Sequence, residues 1–92
     1  MDIINNKAEQ KFSTSTIGGE AFISYRRGSQ NSYDLHFVFV PPEARGQNIA
    51  DQLVRKALQQ AKDEKVKVIA TCSYVSTWFT RHPEESEMLL QS

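Results

Sequence analysis

Arg45-Gly46-Gln47-Asn48-Ile49-Ala50 is the segment of this chain best equipped to hold a ligand. It follows an apolar run that stops at Pro41-Pro42, and an amphipathic pattern begins within it. A helix starting there presents main-chain N–H groups with no intrahelical partner, and its aligned peptide dipoles add partial positive charge. Gly46 lets a bulky anion approach the main chain. Arg45 brings fixed charge on a planar donor fork suited to phosphate oxygens. These are the parts of a pyrophosphate cradle. The same six residues also suit a plain helix start, with Asn48 or Gln47 as cap and Arg45 as a solvated charge.

Four further side chains can do chemistry. Cys72, the single cysteine, is either a nucleophile or a small buried hydrophobe at a strand end. Tyr74 is a proton donor or a core aromatic. His82 precedes Pro83 and reads as a titrating base or as a helix-ending histidine bonded to backbone. His36, inside an apolar run, reads as a satisfied core histidine. Trp78 and Phe79 are core, and Glu84, Glu85 and Glu87 are a solvated acidic face or a lure for a cationic acceptor. One cysteine excludes an internal disulfide framework and a multi-thiolate metal site, so no metal is expected.

The elements that must position these residues follow from periodicity. A weakly marked strand is expected from about Ala8 to Thr16, before the turn at Gly18-Gly19. Glu20 to Arg26 alternates as a strand, and Gly28-Ser29-Gln30-Asn31-Ser32 is a turn cluster. Leu35 to Val40 is apolar on nearly both faces, as in a central strand covered on each side, and Pro41-Pro42 ends it. From Ile49 the apolar positions 49, 50, 53, 54, 57, 58 and 61 form a helical stripe. Asp51 near its start and Lys62 and Lys65 near its end match the helix dipole. Val66 to Thr71 is a short strand, and Tyr74, Val75, Trp78 and Phe79 mark a short helix ending before Pro83. The tail from Glu84 adds a helical turn or frays, with weak order expected over about 85–92. Strand, helix, strand predicts a parallel βαβ unit with a right-handed crossover. The expected order is β-β-β-α-β-α, an α+β domain with a mixed sheet.

Ninety-two residues make one domain, 1–92, with enough buried surface for a modest core. Eleven basic and eleven acidic residues cancel, which removes the electrostatic case for nucleic acid or an anionic membrane. No apolar run approaches the ~20 residues needed to span a bilayer. The start MDIINNKAEQ lacks the basic head and apolar stretch of a secretory signal. A soluble, cytoplasmic protein is expected.

VPPEARGQNIADQLV, Val40 to Val54, resembles the acetyl-CoA signature of the GNAT N-acetyltransferase superfamily, whose core is Arg/Gln-x-x-Gly-x-Gly/Ala. The chain more narrowly resembles the compact, single-domain (YjdJ-like) predicted N-acetyltransferases of that superfamily. They share a V-P-P-E-x-R-G segment, a strand ending in a Cys-Pro/Ser-Phe-like step, here Cys72-Ser73-Tyr74-Val75, and Arg-His-Pro, here Arg81-His82-Pro83. The resemblance covers about residues 20–85. Two positions depart from it. Asn48 stands where the signature has Gly, although Asn tolerates left-handed backbone. Phe37-Val38 stand where compact members often carry a His-Thr pair; His36 lies one residue out of register, which by alternation points it to the opposite face.

The resemblance implies a GNAT-like fold and acetyl-CoA held by Phe39, Val40, Arg45, Gly46, Gln47, Asn48, Ile49, Ala50, Cys72 and Ser73. In it, main-chain groups of Phe39 and Val40 hold the pantetheine arm and polarise the carbonyl. Cys72 and Tyr74 are the candidate catalytic side chains. The implied reaction is acetyl transfer to an amine by direct attack in a ternary complex, with positioning supplying much of the rate. The alternative is a CoA- or acyl-CoA-binding module without turnover. The acceptor is an amine of a small molecule or a protein, and the chain is a monomer or a weak homodimer.

Overall fold

The computed structural model describes residues 1–90. Its strands are β1 (Ile4–Asn6), β2 (Lys11–Thr16), β3 (Gly19–Arg27), β4 (Tyr33–Phe39) and β5 (Val68–Ala70). They form one sheet in the order β1-β2-β3-β4-β5. The first four pair antiparallel and β4 pairs parallel with β5. Helix α1 (Ile49–Glu64) crosses from β4 to β5, and α2 (Ser73–Arg81) follows β5. The βαβ unit and the α+β class expected from periodicity are present.

The strand β1 has no counterpart in the sequence reading, and the strand expected within 8–16 begins only at Lys11. Ile4-Asn5-Asn6 is too short and polar to alternate. It is held by register with Lys11–Ser13 and by the Tyr25 hydroxyl, which donates to Asn5 Oδ1 at 2.8 Å.

Helix α1 buries Ile49, Leu53, Val54, Ala57, Leu58 and Ala61, six of the seven stripe positions. They join Phe12, Ala21, Ile23, Tyr25, Tyr33, Leu35 and Val68 from the sheet, and Val75, Trp78 and Phe79 from α2, in one core. The helix ends at Lys65, whose left-handed backbone (φ 60°) lets its N–H reach the carbonyls of Ala61 and Lys62. Val66 N–H also bonds to Ala61 O at 2.9 Å. That wrap takes Val66 out of the strand expected from 66, so β5 is only three residues long.

The structure corrects the expectation that β4 is covered on both faces. Phe37 is 50% and Phe39 37% exposed. Their rings lie 5.9 Å from that of Phe22 on the sheet face opposite the helices. A second correction concerns His36. Ser24 opposes Phe37, but Tyr25 opposes Leu35, so His36 is the extra residue of a β-bulge. Leu35 is fully buried and Val38 packs on the core. Two residues rather than one separate these inward positions, so simple alternation does not assign a face to His36, which is half-buried.

Pro83–Met88 coil into 3-10 turns, and Leu90 N–H bonds to Val68 O at 2.8 Å. The chain thus covers the outer edge of β5, an edge otherwise open to pairing with another strand. Residues 91–92 of the tail lie outside the described residues.

Opposite the cradle end, Glu64 ties α1 to the sheet. It accepts from Arg27 at 2.7 Å, Tyr33 Oη at 2.5 Å and Gln60 at 2.6 Å, while Arg27 lies 4.0 Å above the Tyr33 ring. Burial raises the Glu64 pKa, but the bonds from Arg27, Tyr33 and Gln60 outweigh it and bring it down to about 2. A carboxyl with a lowered folded-state pKa stabilises the fold above its unfolded value near 4.5, and that contribution disappears as pH falls toward 2. Glu64→Gln is therefore expected to cost about 1–2 kcal/mol at pH 7. The gap from wild type should close on acidification between pH 4.5 and 2, as read by urea denaturation at several pH values. A pH-independent gap would show that the charge contributes nothing.

Candidate functional site

Strands β4 and β5 pair only through Tyr33–Leu35 with Val68–Ala70. Cys72 N–H still bonds to Leu35 O at 3.0 Å, then the chain turns into α2 at Ser73. Strand β4 runs on to Phe39. Among the described residues it has no strand neighbour on that side beyond Leu35. A wedge opens between the end of β4 and the start of α2.

The loop after β4 brings the cradle to this wedge. Pro41-Pro42 stop the strand and begin a 3-10 turn over Pro42–Ala44, with Ala44 buried. Arg45 Nε donates to Val40 O at 3.0 Å, folding the loop back on the strand end. Arg45 is otherwise exposed. Gly46 has φ +84°, and a Cβ there would meet nothing within 4 Å. The conformation, rather than crowding within the chain, asks for glycine, and the space above it is open to a ligand.

Asn48 is left-handed (φ 60°, ψ 23°), and its side chain makes no capping bond to α1. The structure thus rules out Asn48 or Gln47 as a helix cap. Asn48 O accepts Gln52 N–H at 3.1 Å, the first bond of the helix. Among the described residues, the N–H groups of Asn48, Ile49, Ala50 and Asp51 meet no intrachain acceptor. Four donors at the positive end of a sixteen-residue helix are an arrangement chemically suited to an anion.

The donors open onto a cleft of about 420 Å³ lined by Val38, Phe39, Val40, Ala44, Arg45, Gly46, Asn48, Ile49, Ala50, Asp51 and Tyr74. Seven of the ten expected binding residues are brought together here, with Tyr74. Gln47 is not. Beyond the left-handed turn it faces the other way and lines a neighbouring cleft with Ser13–Thr16 of β2. Cys72 and Ser73 are also absent from the lining. Cys72 is kept in line with β5 by its bond to Leu35 and is half-buried against the core; Ser73 is exposed at the first position of α2.

Tyr74 is 40% exposed at the mouth. Partial burial chiefly raises its pKa, the Asp51 charge adds to this and Arg81 opposes it. The phenol is therefore protonated at neutral pH. His82 closes α2, its Nδ1 lying 2.7 Å from Trp78 O and its ring stacked 4.0 Å from the Trp78 ring. This is the helix-ending histidine rather than a free base.

Asp51 was read from sequence only as a charge suited to the helix start. Its carboxylate accepts from Trp78 Nε1 at 2.7 Å and Arg55 Nε at 2.9 Å. Burial raises its pKa, yet these two bonds prevail and hold it below the usual carboxylate value. The Asp51–Trp78 bond pins α2 beside the start of α1 and fixes the cleft's second wall. The i, i+4 spacing to Arg55 was visible in the sequence. The 27-residue separation from Trp78 was not.

Residues 11–88 match the family described as GCN5-related N-acetyl-transferase. The match spans most of the chain, and the chain belongs to that family. Its five-stranded mixed sheet with a parallel β4–β5 pair agrees with the assignment. Among the described residues no helix is long and apolar enough to cross a membrane.

Because Asn48 contributes backbone conformation and no cap, Asn48→Gly is expected to keep or slightly raise thermal stability. Asn48→Val places a β-branched residue at φ 60° and should cost about 1–2 kcal/mol. Thermal melts of both variants check this. A melting temperature lowered by Asn48→Gly as much as by Asn48→Val would contradict the assignment.

Proposed function

We propose that this GCN5-related N-acetyltransferase binds acetyl-CoA at the start of α1 and transfers the acetyl group directly to an amine. The observation that carries the reading is the set of four unpartnered N–H groups, Asn48 to Asp51, opening on a cleft beside the unpaired edge of β4. Their donors and the Arg45 guanidinium suit a pyrophosphate. The open approach over Gly46 gives it room. Val38, Phe39, Val40 and Ala44 supply the apolar wall that a pantetheine arm requires, and the free main-chain edge of β4 supplies its polar partners.

In direct transfer the amine nitrogen bonds to the thioester carbonyl carbon as the C–S bond breaks. The amine loses a proton to solvent and the departing thiolate gains one. Tyr74, protonated and at the mouth of the cleft, is the residue placed to give that proton. Cys72 is not suited to act as the nucleophile: it lies off the cleft, and its sulfur has no hydrogen-bond partner among the described residues to activate it.

One observation favours a second reading, a CoA-binding module without turnover. Phe37, a half-exposed apolar side chain next to the bulge at His36, stands where the resemblance to compact members often places a histidine.

Acetyl-CoA at a hundredfold excess over its Kd is expected to add ~2.7 kcal/mol to stability, a rise in melting temperature on the order of 10 °C for a chain of this size. Arg45→Ala should weaken binding about tenfold with the fold intact. Amine-dependent release of CoA separates enzyme from binding module. Cys72→Ala should retain most of any turnover, and Tyr74→Phe should lose about tenfold or more in kcat. Failure of millimolar acetyl-CoA to shift the melt would remove both readings. An acetylated protein that accumulates without amine, and not in Cys72→Ala, would overturn direct transfer.

A further inference from the structure

Both helices join the core on one face of the sheet, and among the described residues nothing covers the other face. The molecule is 19 Å across its shortest dimension, the thickness of one sheet and one helix layer. An antiparallel sheet with one face in water normally carries polar side chains there. Here the register sets Phe22 opposite Phe39 in one row and Ser24 opposite Phe37 in the next. The rings of Phe37 and Phe39 each lie 5.9 Å from that of Phe22. Three contiguous phenyl rings on an open face form a patch, unlike the scattered apolar residues of an ordinary surface.

The charges beside the patch select what can cover it. Along β3 the outward side chains run Glu20, Phe22, Ser24, Arg26, with an acid at one end and a base at the other. A twofold axis lying across the strands, between the Phe22 and Ser24 rows, brings a second copy face to face with its strands reversed. Phe39 then lies over Phe37 of the second copy, Phe22 over the small Ser24, and Glu20 over Arg26. Aromatic meets aromatic and acid meets base, twice over, as an isologous interface requires. Stacked sheets lie about 10 Å apart with strands within about 30° of each other. Glu20 and Arg26 sit about 10 Å from the axis, so that angle displaces them by about 5 Å, within reach of two long side chains. Arg26 already bonds Asp34 through Nε, and Glu20 bonds Lys11 through Oε1, but both side chains are about half exposed and open to a further partner.

We propose that the open sheet face is a homodimer interface, in which two copies stack through Phe22, Phe37 and Phe39 with Glu20 of each against Arg26 of the other. Four strands about 4.8 Å apart and four rows about 7 Å apart give roughly 400 Å² of sheet plane per copy. That places the contact at the small end of specific interfaces, as a reversible dimer rather than an obligate one. Phe39 also lines the cleft beside the cradle, so the interface and that cleft share a wall. The inference stands on the sheet face alone and is independent of the acetyl-CoA reading.

The test is sedimentation velocity between about 5 and 500 µM protein, on wild type, Phe37→Lys, Glu20→Arg, Arg26→Glu and an equal mixture of the last two. Wild type is expected to pass from monomer to dimer mass across that range. Phe37→Lys, which replaces a half-exposed ring, should stay monomeric with its melting temperature within a few degrees of wild type. Glu20→Arg sets like charges against each other in its own dimer, and so does Arg26→Glu, so each should dissociate at least tenfold more readily at low salt. Their mixture pairs opposite charges at both positions and should dimerise more tightly than either variant alone. A wild type that stays monomeric throughout overturns the inference. So does a dimer that survives Phe37→Lys, or a mixture no tighter than its components.

Discussion

Four consecutive main-chain donors, the N–H groups of Asn48 to Asp51, find no acceptor within the described chain. Unmet donors at a helix start are costly only where water cannot reach them; here they border an open cleft. The left-handed Asn48 sets the direction in which the helix departs, and Gly46 keeps the space above the turn clear. A side-chain cap at residue 48 would satisfy one donor and thereby compete with an anion for it. The sequence places there a residue able to cap, yet its backbone conformation keeps its side chain from capping.

The walls follow from two longer-range constraints. The short β5 and the early turn into α2 end the parallel pairing after three residues, so β4 continues with a strand partner, β3, on one side only. The Asp51–Trp78 bond then holds α2 against the first turn of α1. Were β5 as long as β4, the wedge would be filled by backbone hydrogen bonds. The Asp51–Trp78 bond adds a polar tie to the buried packing of Val75, Trp78 and Phe79, which seats α2 on the core. The Glu64 cluster fixes the other end of α1 to β3 and β4.

Much of this was legible in the residues. The apolar stripe from Ile49 to Ala61 located α1, because a buried helix face imposes the 3.6-residue period. Pro41-Pro42 and Gly46 located the strand end and the turn into α1, because each forces or forbids a specific backbone. What escaped was set by tertiary contacts. Strand β1 exists only through pairing to β2. Phe37 and Phe39 look like core by composition, yet face solvent with Phe22. The bulge at His36 leaves no mark in local sequence and defeats any assignment by alternation. The role of Asp51 depends on a tryptophan a helix and a strand away.

The central claim, that the start of α1 is the anion site, is tested most directly by amide NMR during titration with CoA. The account predicts that the largest ¹⁵N–¹H shifts fall on Gly46 and on Asn48 to Asp51, with smaller ones along Val38 to Val40. Shifts confined to the neighbouring cleft, at Gln47 and Ser13 to Thr16, or no shifts at millimolar CoA, would contradict it.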